Sequence, residues 1–321
     1  MNIVKTLALS AALTAVGATG LLAQEVVRVA EPNWASGRAM ASLIKVVIED
    51  KLGGQAELVP GTNAVIFAGM DRGKGEIDVH PDVWMPNQEN FTKEYVDQND
   101  TVALSDNSYA GFSAFCAPRE FAEKHNIKSV FDLATPEAAA AMDRDGDGMG
   151  DIWLGAPGWT STNQNTVKAR DYGITNFFQP IVAEEEVATA SISDAINKGE
   201  GFAFYCYAPH YNWFVFDMVR LDEPAFDPAK YTMVNPNEDP EWFEKSSITT
   251  ADREKAIHVG YSRSLETRAP DVAAFLAKIA MDTDTVNNFT NEIVVKQRDP
   301  QEVAREWVAA NGDRVDSWLG L

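Results

Sequence analysis

From Gln24 onward the chain alternates short strand-like runs with stretches whose apolar residues recur at helical spacing, and this alternation limits the folds open to it. EVVRVAEP reads as a strand. SGRAMASLIKVVIEDKLGG then sets Met40, Leu43, Ile44, Val47 and Ile48 on one helical face and ends on glycines. QAELVPG, TNAVIFAGMDRG and EIDVHP give strand, helix and strand. SVFDLATPEAAAAM, DIWLGAP, STNQNTVKARDYG and GFAFYCYAP repeat helix, strand, helix, strand. Strands separated by helices align in parallel-rich sheets, so the fold class is α/β. Near the C-terminus, DPQEVAREWVAANG is a punctuated helix: Asp299 caps it, Pro300 suits its first position, Glu302 reaches back, and Asn311-Gly312 closes it. Val303 and Trp307 are four apart, which turns Trp307 to the core. Trp153 and Trp318 sit in similarly regular contexts and are also assigned to packing.

The first residues, MNIVKTLALSAALTAVGATGLLA, have a basic start at Lys5 and a short apolar run ending at Ala23. That layout is a secretory signal peptide, residues 1–23, and not a membrane span. Roughly 300 residues then remain, enough for one large or two medium domains. The formal charge is −21, and Lys5 is the one charged side chain before Gln24, so the mature chain is more negative still. Such a surface repels phosphate backbones and anionic lipids and excludes nucleic-acid and membrane-surface partners. It suits a cationic or zwitterionic ligand. Cys116 and Cys206 both lie in strand-like runs, and an exported chain permits a disulfide. A bond and two buried thiols are both open on the sequence.

Four of the eight tryptophans fall where a strand gives way to a loop or helix start: Trp34 in EPNWASG, Trp84 in DVHPDVWMPN, Trp159 in GAPGWTSTNQN and Trp213 in YAPHYNWFVFD. In α/β sheets, ligands collect outside the carboxyl ends of strands. Aromatic faces converging from separate strand ends suit a methylated ammonium, which has diffuse positive charge and no N–H to satisfy. Each well-placed ring contributes about 0.5–2 kcal/mol, and burial of the methyl groups adds to it. Tyr205, Tyr207 and Tyr211 surround Trp213 in the sequence.

These segments resemble the glycine betaine/proline-type substrate-binding proteins of ABC importers. YAPHYNWFVFDMVRLDEP is similar to that family's Pro-His segment flanked by aromatics, DVHPDVWMPN to its Trp-x-Pro segment, and DPQEVAREWVAANGDRVDSWL to its C-terminal helix. The chain departs from the pattern at Tyr207, where tryptophan is common, and carries Tyr211 and Trp213 after the histidine. Within the family it looks most like the trimethylamine N-oxide-binding branch.

The resemblance implies a two-domain periplasmic-binding-protein fold of type II-like organisation, with ligand in the inter-domain cleft. One domain would comprise 24–107 and 217–321, and an inserted one 108–216. It implies a non-enzymatic, monomeric periplasmic receptor that closes on its ligand and delivers it to a permease in the inner membrane. The ligand would be trimethylamine N-oxide or a relative such as glycine betaine, choline or carnitine. Trp34, Trp84, Trp159 and Trp213 would form the cage, with Tyr205 beside them. Glu31 is the candidate polar partner, and the backbone N–H groups after Gly158 could receive a ligand oxygen. A disulfide between Cys116 and Cys206 would join the first and last strands of the inserted domain.

MDRDGDGMGD places Asp143, Asp145, Asp147 and Asp151 at alternating positions, with Gly148 sixth from Asp143 and the Met149 carbonyl seventh. This matches the first half of a calcium loop, spanning 143–151, and predicts a structural Ca²⁺. Leu154 stands where the bidentate glutamate of a complete loop would be. The rival class is a secreted calcium-stabilised hydrolase, but the chain has no G-x-S-x-G, no H-E-x-x-H and no recognisable Cys-His signature. His80, His125, His210 and His258 are scattered; His80 and His210, each next to a proline, are expected to orient loops.

Overall fold

The computed structural model describes residues 25–321, so the expected signal peptide, residues 1–23, lies outside the described residues. The first part of the chain forms strands β1 (Val26–Glu31), β2 (Gln55–Pro60), β3 (Val79–Met85), β4 (Val102–Leu104) and β5 (Tyr109–Pro118). The middle gives β6 (Gly150–Gly155), β7 (Phe178–Val182), β8 (Ala203–Ala208) and β9 (Met218–Arg220). A short β10–β11 pair (Tyr231–Thr232 and Ser247–Ile248) precedes β12 (Lys255–Ser262). The strands run in the order β2-β1-β3-β12-β5-β8-β6-β7, with β4 on β12 and β9 on β5. The β1–β2, β1–β3, β6–β7 and β6–β8 pairs are parallel, and β12 and β5 are antiparallel to their neighbours. The sheet is therefore mixed.

β5 belongs to both halves of the molecule. Tyr109 to Gly111 pair with β12, whereas Phe112 to Cys116 pair with β8. Gly111 stands where the strand passes from one half to the other, and its lack of a side chain is required there. A Cβ would come within 2.8 Å of the Ala208 carbonyl and of Ile257, and 3.1 Å from the Trp84 ring. The return crossing falls later than the expected 216/217 boundary. β9 pairs with Cys116–Pro118 of β5, Asp222 bridges to Ser129, and Arg170 bonds the carbonyls of Phe243 and Ser246. The chain thus stays with the second half until Lys255 opens β12. Each half packs helices on its strands, which divides the chain into two α/β domains.

Helix α1 (Ala35–Val46) follows β1 and is buried on nearly every side, consistent with its apolar composition. Further helices used below are α2 (Asn63–Arg72), α3 (Thr160–Asp171), α4 (Glu185–Lys198) and α5 (Pro300–Ala310). Asp299 caps α5, accepting from the N–H groups of Gln301 at 3.0 Å and Glu302 at 2.9 Å. α5 ends at Ala310 with Asn311 as its C-cap, as expected, and Gly312 opens another helix, Gly312–Leu319. Its Trp318 stacks on Trp307 with ring centroids 5.8 Å apart, and Phe289 meets Trp307 edge-on. Cys116 and Cys206 are joined by a disulfide that ties β5 to β8. Among the described residues, no helix is long and apolar enough to cross a membrane.

Candidate ligand-binding site

The first wall of the site comes from β3. Alternation along a strand sends His80, Asp82 and Trp84 to one face. Asp82 is fully buried, and its Oδ2 accepts from Trp34 Nε1 at 2.7 Å, Trp84 Nε1 at 2.8 Å and Ser36 Oγ at 2.7 Å; Tyr109 donates to Oδ1. One carboxylate therefore fixes two indole planes. Burial raises the Asp82 carboxyl above its ordinary range, and the bonds from Tyr109, Trp34, Trp84 and Ser36 oppose that rise. Trp34 has room because Gly37, one turn into α1, carries no Cβ, which would stand 2.9 Å from Trp34 Nε1.

The second wall comes from β8 and from the residues before α3. Tyr205 and Tyr207 share one face of β8, with ring centroids 5.6 Å apart. Trp159, at the start of α3, meets Tyr207 edge-on at 5.9 Å and Trp34 edge-on at 6.2 Å, and Trp84 meets Tyr207 edge-on at 5.5 Å. A buried carboxylate again stands behind the rings. Glu185, the first residue of α4, accepts from the Tyr207 hydroxyl and from His210 Nε2 at 2.8 Å, and receives the Ala35 N–H at 3.2 Å. Burial would push the Glu185 carboxyl up, but His210, Tyr207 and Arg38 outweigh it and hold it below its ordinary value. The two histidines act alike. His80 Nδ1 accepts the N–H of Asp82 at 3.3 Å, and His210 Nδ1 that of Asn212 at 3.0 Å, so each stiffens the backbone two residues on.

Between the walls lies a cavity of about 40 Å³ lined by Trp34, Trp84, Trp159, Tyr205 and Tyr207, with Asn63, Asn87, Gln88, Thr160 and Ser161 completing it. No ionisable carboxylate or cation lines it. A groove of about 760 Å³ adjoins it, sharing Asn63, Asn87, Trp159 and Thr160. Contacts between the domains surround the cavity: Trp159 Nε1 donates to Asn33 Oδ1 at 2.7 Å, Asn33 Nδ2 to Glu184 at 3.0 Å, and Arg38 to Glu186 at 2.9 Å.

Behind the polar side of the cavity, at the two crossings, is a buried ion cluster. Lys168 meets Glu223 at 2.5 Å, Lys255 meets Asp252 at 3.4 Å, and Ser113 on β5 donates to Asp252 at 2.6 Å. Lys255 Nζ also donates to Asn87 Oδ1 at 2.6 Å. Burial works against the Asp252 charge, but Lys168 and Lys255 dominate and hold that carboxyl down at about 2. Burial lowers the Lys255 ammonium, with Asp252 opposing.

Of the side chains singled out from the sequence, Trp34, Trp84, Trp159 and Tyr205 are brought together. Trp213 is not. It is half-buried, lies edge-on to Phe112 at 5.5 Å and donates to the Tyr207 carbonyl at 2.8 Å, outside the cavity. Tyr207 occupies the wall instead, because β8 continues through Tyr207 and the short Asn212–Val215 helix carries Trp213 past the opening. Glu31 ends β1 opposite Pro60 and does not line the cavity. Asp82, Glu185, Asn87 and Gln88 were not singled out. For Asp82 a signal existed: it stands two residues before Trp84 in a strand, hence on the same face. For Glu185 none did, since it reaches the site from a helix start.

In the acidic loop, carboxylate oxygens of Asp143, Asp145 and Asp147 lie within 4.8 Å of one another. Oxygens bound to one Ca²⁺ at 2.3–2.6 Å stand at most about 5 Å apart, so this set fits that ion. Gly146 and Gly148 take positive φ there, and both donate N–H groups to Asp143.

Two α/β domains joined by a shared strand and a return crossing, with an aromatic cavity between them, define a periplasmic-binding-protein fold. Residues 25–310 match the family model for the substrate-binding domain of ABC-type glycine betaine transport systems (OpuAC), and the chain belongs to that family. Proteins of this family bind a small ligand and deliver it to an ABC permease. Among solved structures, a choline-binding protein of an ABC transporter in complex with choline is 18% identical, with a TM-score of 0.71 and 92% and 91% of the two chains covered. Lactococcal OpuAC, closed on glycine betaine, is 17% identical with a TM-score of 0.70 and coverage of 92% and 99%. The glycine betaine/L-proline-binding protein ProX of Borrelia burgdorferi is 17% identical with a TM-score of 0.70 and coverage of 92% and 96%. No curated protein sequence matches the chain.

Proposed function

We propose that this protein is the periplasmic receptor of an ABC importer for a compact methylated amine, with trimethylamine N-oxide as its ligand. The carrying observation is the chemistry of the cavity wall: three indoles and two phenols, with the carboxylates of Asp82 and Glu185 held behind the rings and none at the surface. A primary ammonium would leave N–H groups without charged acceptors there, whereas methyl groups around a cationic nitrogen meet the rings of the aromatic wall. Size supports the same reading. A water molecule needs about 10–15 Å³ of such space, so 40 Å³ suits a ligand of a few heavy atoms better than one as long as carnitine.

Glycine betaine and choline are the second reading, favoured by the ligands named for the similar solved proteins. Calorimetric titration with trimethylamine N-oxide, glycine betaine, choline and carnitine tests both. The first reading expects trimethylamine N-oxide to bind tightest, and a preference of tenfold or more for another ligand would replace it. Turnover of any of them would move the protein to an enzyme class.

In the same reading residues 1–23 direct export, the protein works as a monomer, and the 143–151 loop, through Asp143, Asp145, Asp147, the Met149 carbonyl and Asp151, holds a structural Ca²⁺. The division into 24–107 with the C-terminal part and an inserted domain from 108 is kept, with the return crossing moved to Lys255.

A further inference from the structure

The hydrogen-bond pattern around Asn87 and Gln88 fixes which way each amide faces. Lys255 has only donors, so the Asn87 atom it meets at 2.6 Å is Oδ1, and Nδ2 is left as a donor on a residue that lines the cavity. Lys255 itself is locked into the buried cluster by Asp252.

Gln88 is fixed by a longer chain of logic. The Asp82 backbone N–H can only donate, so His80 Nδ1 carries no proton and Nε2 carries it. That N–H points to Asn63 at 3.0 Å, which makes the receiving atom Oδ1. Gln88 meets the same oxygen at 2.9 Å and must present its amide nitrogen. Gln88 Oε1 is therefore turned elsewhere, and it is buried without a partner. Burial holds His80 neutral, pushing its pKa down to about 3, which keeps this arrangement intact at neutral pH.

Such a buried acceptor is costly unless a ligand or water meets it. Gln88 is 2% exposed and Asn87 7% exposed, and both line the aromatic cavity. We propose that Asn87 and Gln88 form the polar pole of the cage and decide which oxygen-bearing methylated amine is held: Asn87 Nδ2 donates to the ligand oxygen, and Gln88 Oε1 accepts from a ligand hydroxyl when there is one. This rests on the methylated-amine reading above. An oxide or carboxylate uses the donor alone and leaves Gln88 Oε1 to a water molecule, whereas a hydroxyl uses both groups.

The test is a titration of wild type, Asn87→Ala and Gln88→Met with four probes: trimethylamine N-oxide, glycine betaine, choline and tetramethylammonium, which has no oxygen. Asn87→Ala should lower affinity for the first three about tenfold or more and leave tetramethylammonium within about threefold. Gln88→Met, close in volume, should lower choline affinity about tenfold while trimethylamine N-oxide stays within about threefold. Equal losses for all four probes, or no loss for any, would overturn the assignment and leave both residues as packing. Binding of none of the four by wild type would instead remove the ligand-class reading, and the polar pole with it. If Asn87→Ala melts too low to assay, Asn87→Ser carries the same expectation, because it keeps a polar group for Lys255 but lacks the amide N–H.

Discussion

Trp159 donates its indole N–H to Asn33 Oδ1 at 2.7 Å across the two domains, 126 residues apart in sequence. The same asparagine donates to Glu184 at 3.0 Å, so one side chain after β1 holds both a cage ring and the residue before α4. These contacts exist only while the domains are together, and in the proposed reading a ligand that favours them would shift the protein to the closed form by hinge motion, a mode known for periplasmic binding proteins. Asn33→Ala should weaken ligand binding about fivefold, the size of one or two hydrogen bonds, with little change in the melting temperature of ligand-free protein. Calorimetry measures the first and small-angle scattering the compaction on saturation. Unchanged affinity, or no compaction in wild type, would remove this contact from closure.

Trp84 and Trp307 separate a cage ring from a packing ring. Trp84→Ala should weaken binding at least about tenfold, since losing about 1.4 kcal/mol is already that factor, and Trp84→Phe should retain part of it. Trp307 stacks on Trp318 and is half-buried. Its truncation should lower stability by roughly 2–3 kcal/mol, less than the 3–5 of a fully buried ring, with affinity at low temperature unchanged. The reverse pattern in paired denaturation and binding curves would exchange the two roles.

His80 makes stability fall in mild acid. Its folded pKa is about 3, against 6.5 for the free side chain, because burial excludes the charged form. The unfolded chain takes up the proton that the native state refuses, so this contribution is complete above pH 6.5 and is lost as pH falls toward 3. The slope approaches about 1.4 kcal/mol per pH unit. Asp252, held low, acts in the same direction below the ordinary carboxylate range, whereas Asp82, raised, favours the native state in acid. Between about pH 6.5 and 4.5 the histidine works against the raised Asp82 and Glu223, so its share is read as the difference between wild type and a variant that lacks it. Over that interval the melting temperature of wild type should fall more steeply as pH is lowered than that of His80→Gln, whatever their absolute levels. Parallel slopes for the two proteins would refute the account.

Chelation probes the acidic loop. If Asp143, Asp145 and Asp147 share a Ca²⁺ bound by the native state alone, mass action makes melting depend on free calcium. Chelator should lower the melting temperature by several degrees, about the effect of 1–2 kcal/mol in a chain of this size. Asp143→Ala should melt low and be indifferent to chelator, while its ligand affinity at low temperature stays within about twofold. A wild-type melting curve that chelator does not move would mean that the loop carries no stabilising ion.

The sequence by itself determined the local periods, and with them the alternation of strands and helices, the capped helix at Asp299 and the packing role of Trp307. It also placed Trp34, Trp84 and Trp159 at strand ends, because side-chain chemistry and loop position are local properties. It could not separate Tyr207 from Trp213. Both are aromatics six residues apart, and only the path of the chain after β8 turns one into the cavity and the other onto Phe112. The late return crossing at Lys255 was hidden for a similar reason, since strand pairing such as β9 on β5 is a long-range choice. The polar groups depended most on tertiary structure. Asp82, Glu185, Asn87 and Gln88 acquire their roles from partners 2 to 168 residues away. A carboxylate or amide has no direction until burial removes water as its alternative partner, and that burial belongs to the assembled domains alone.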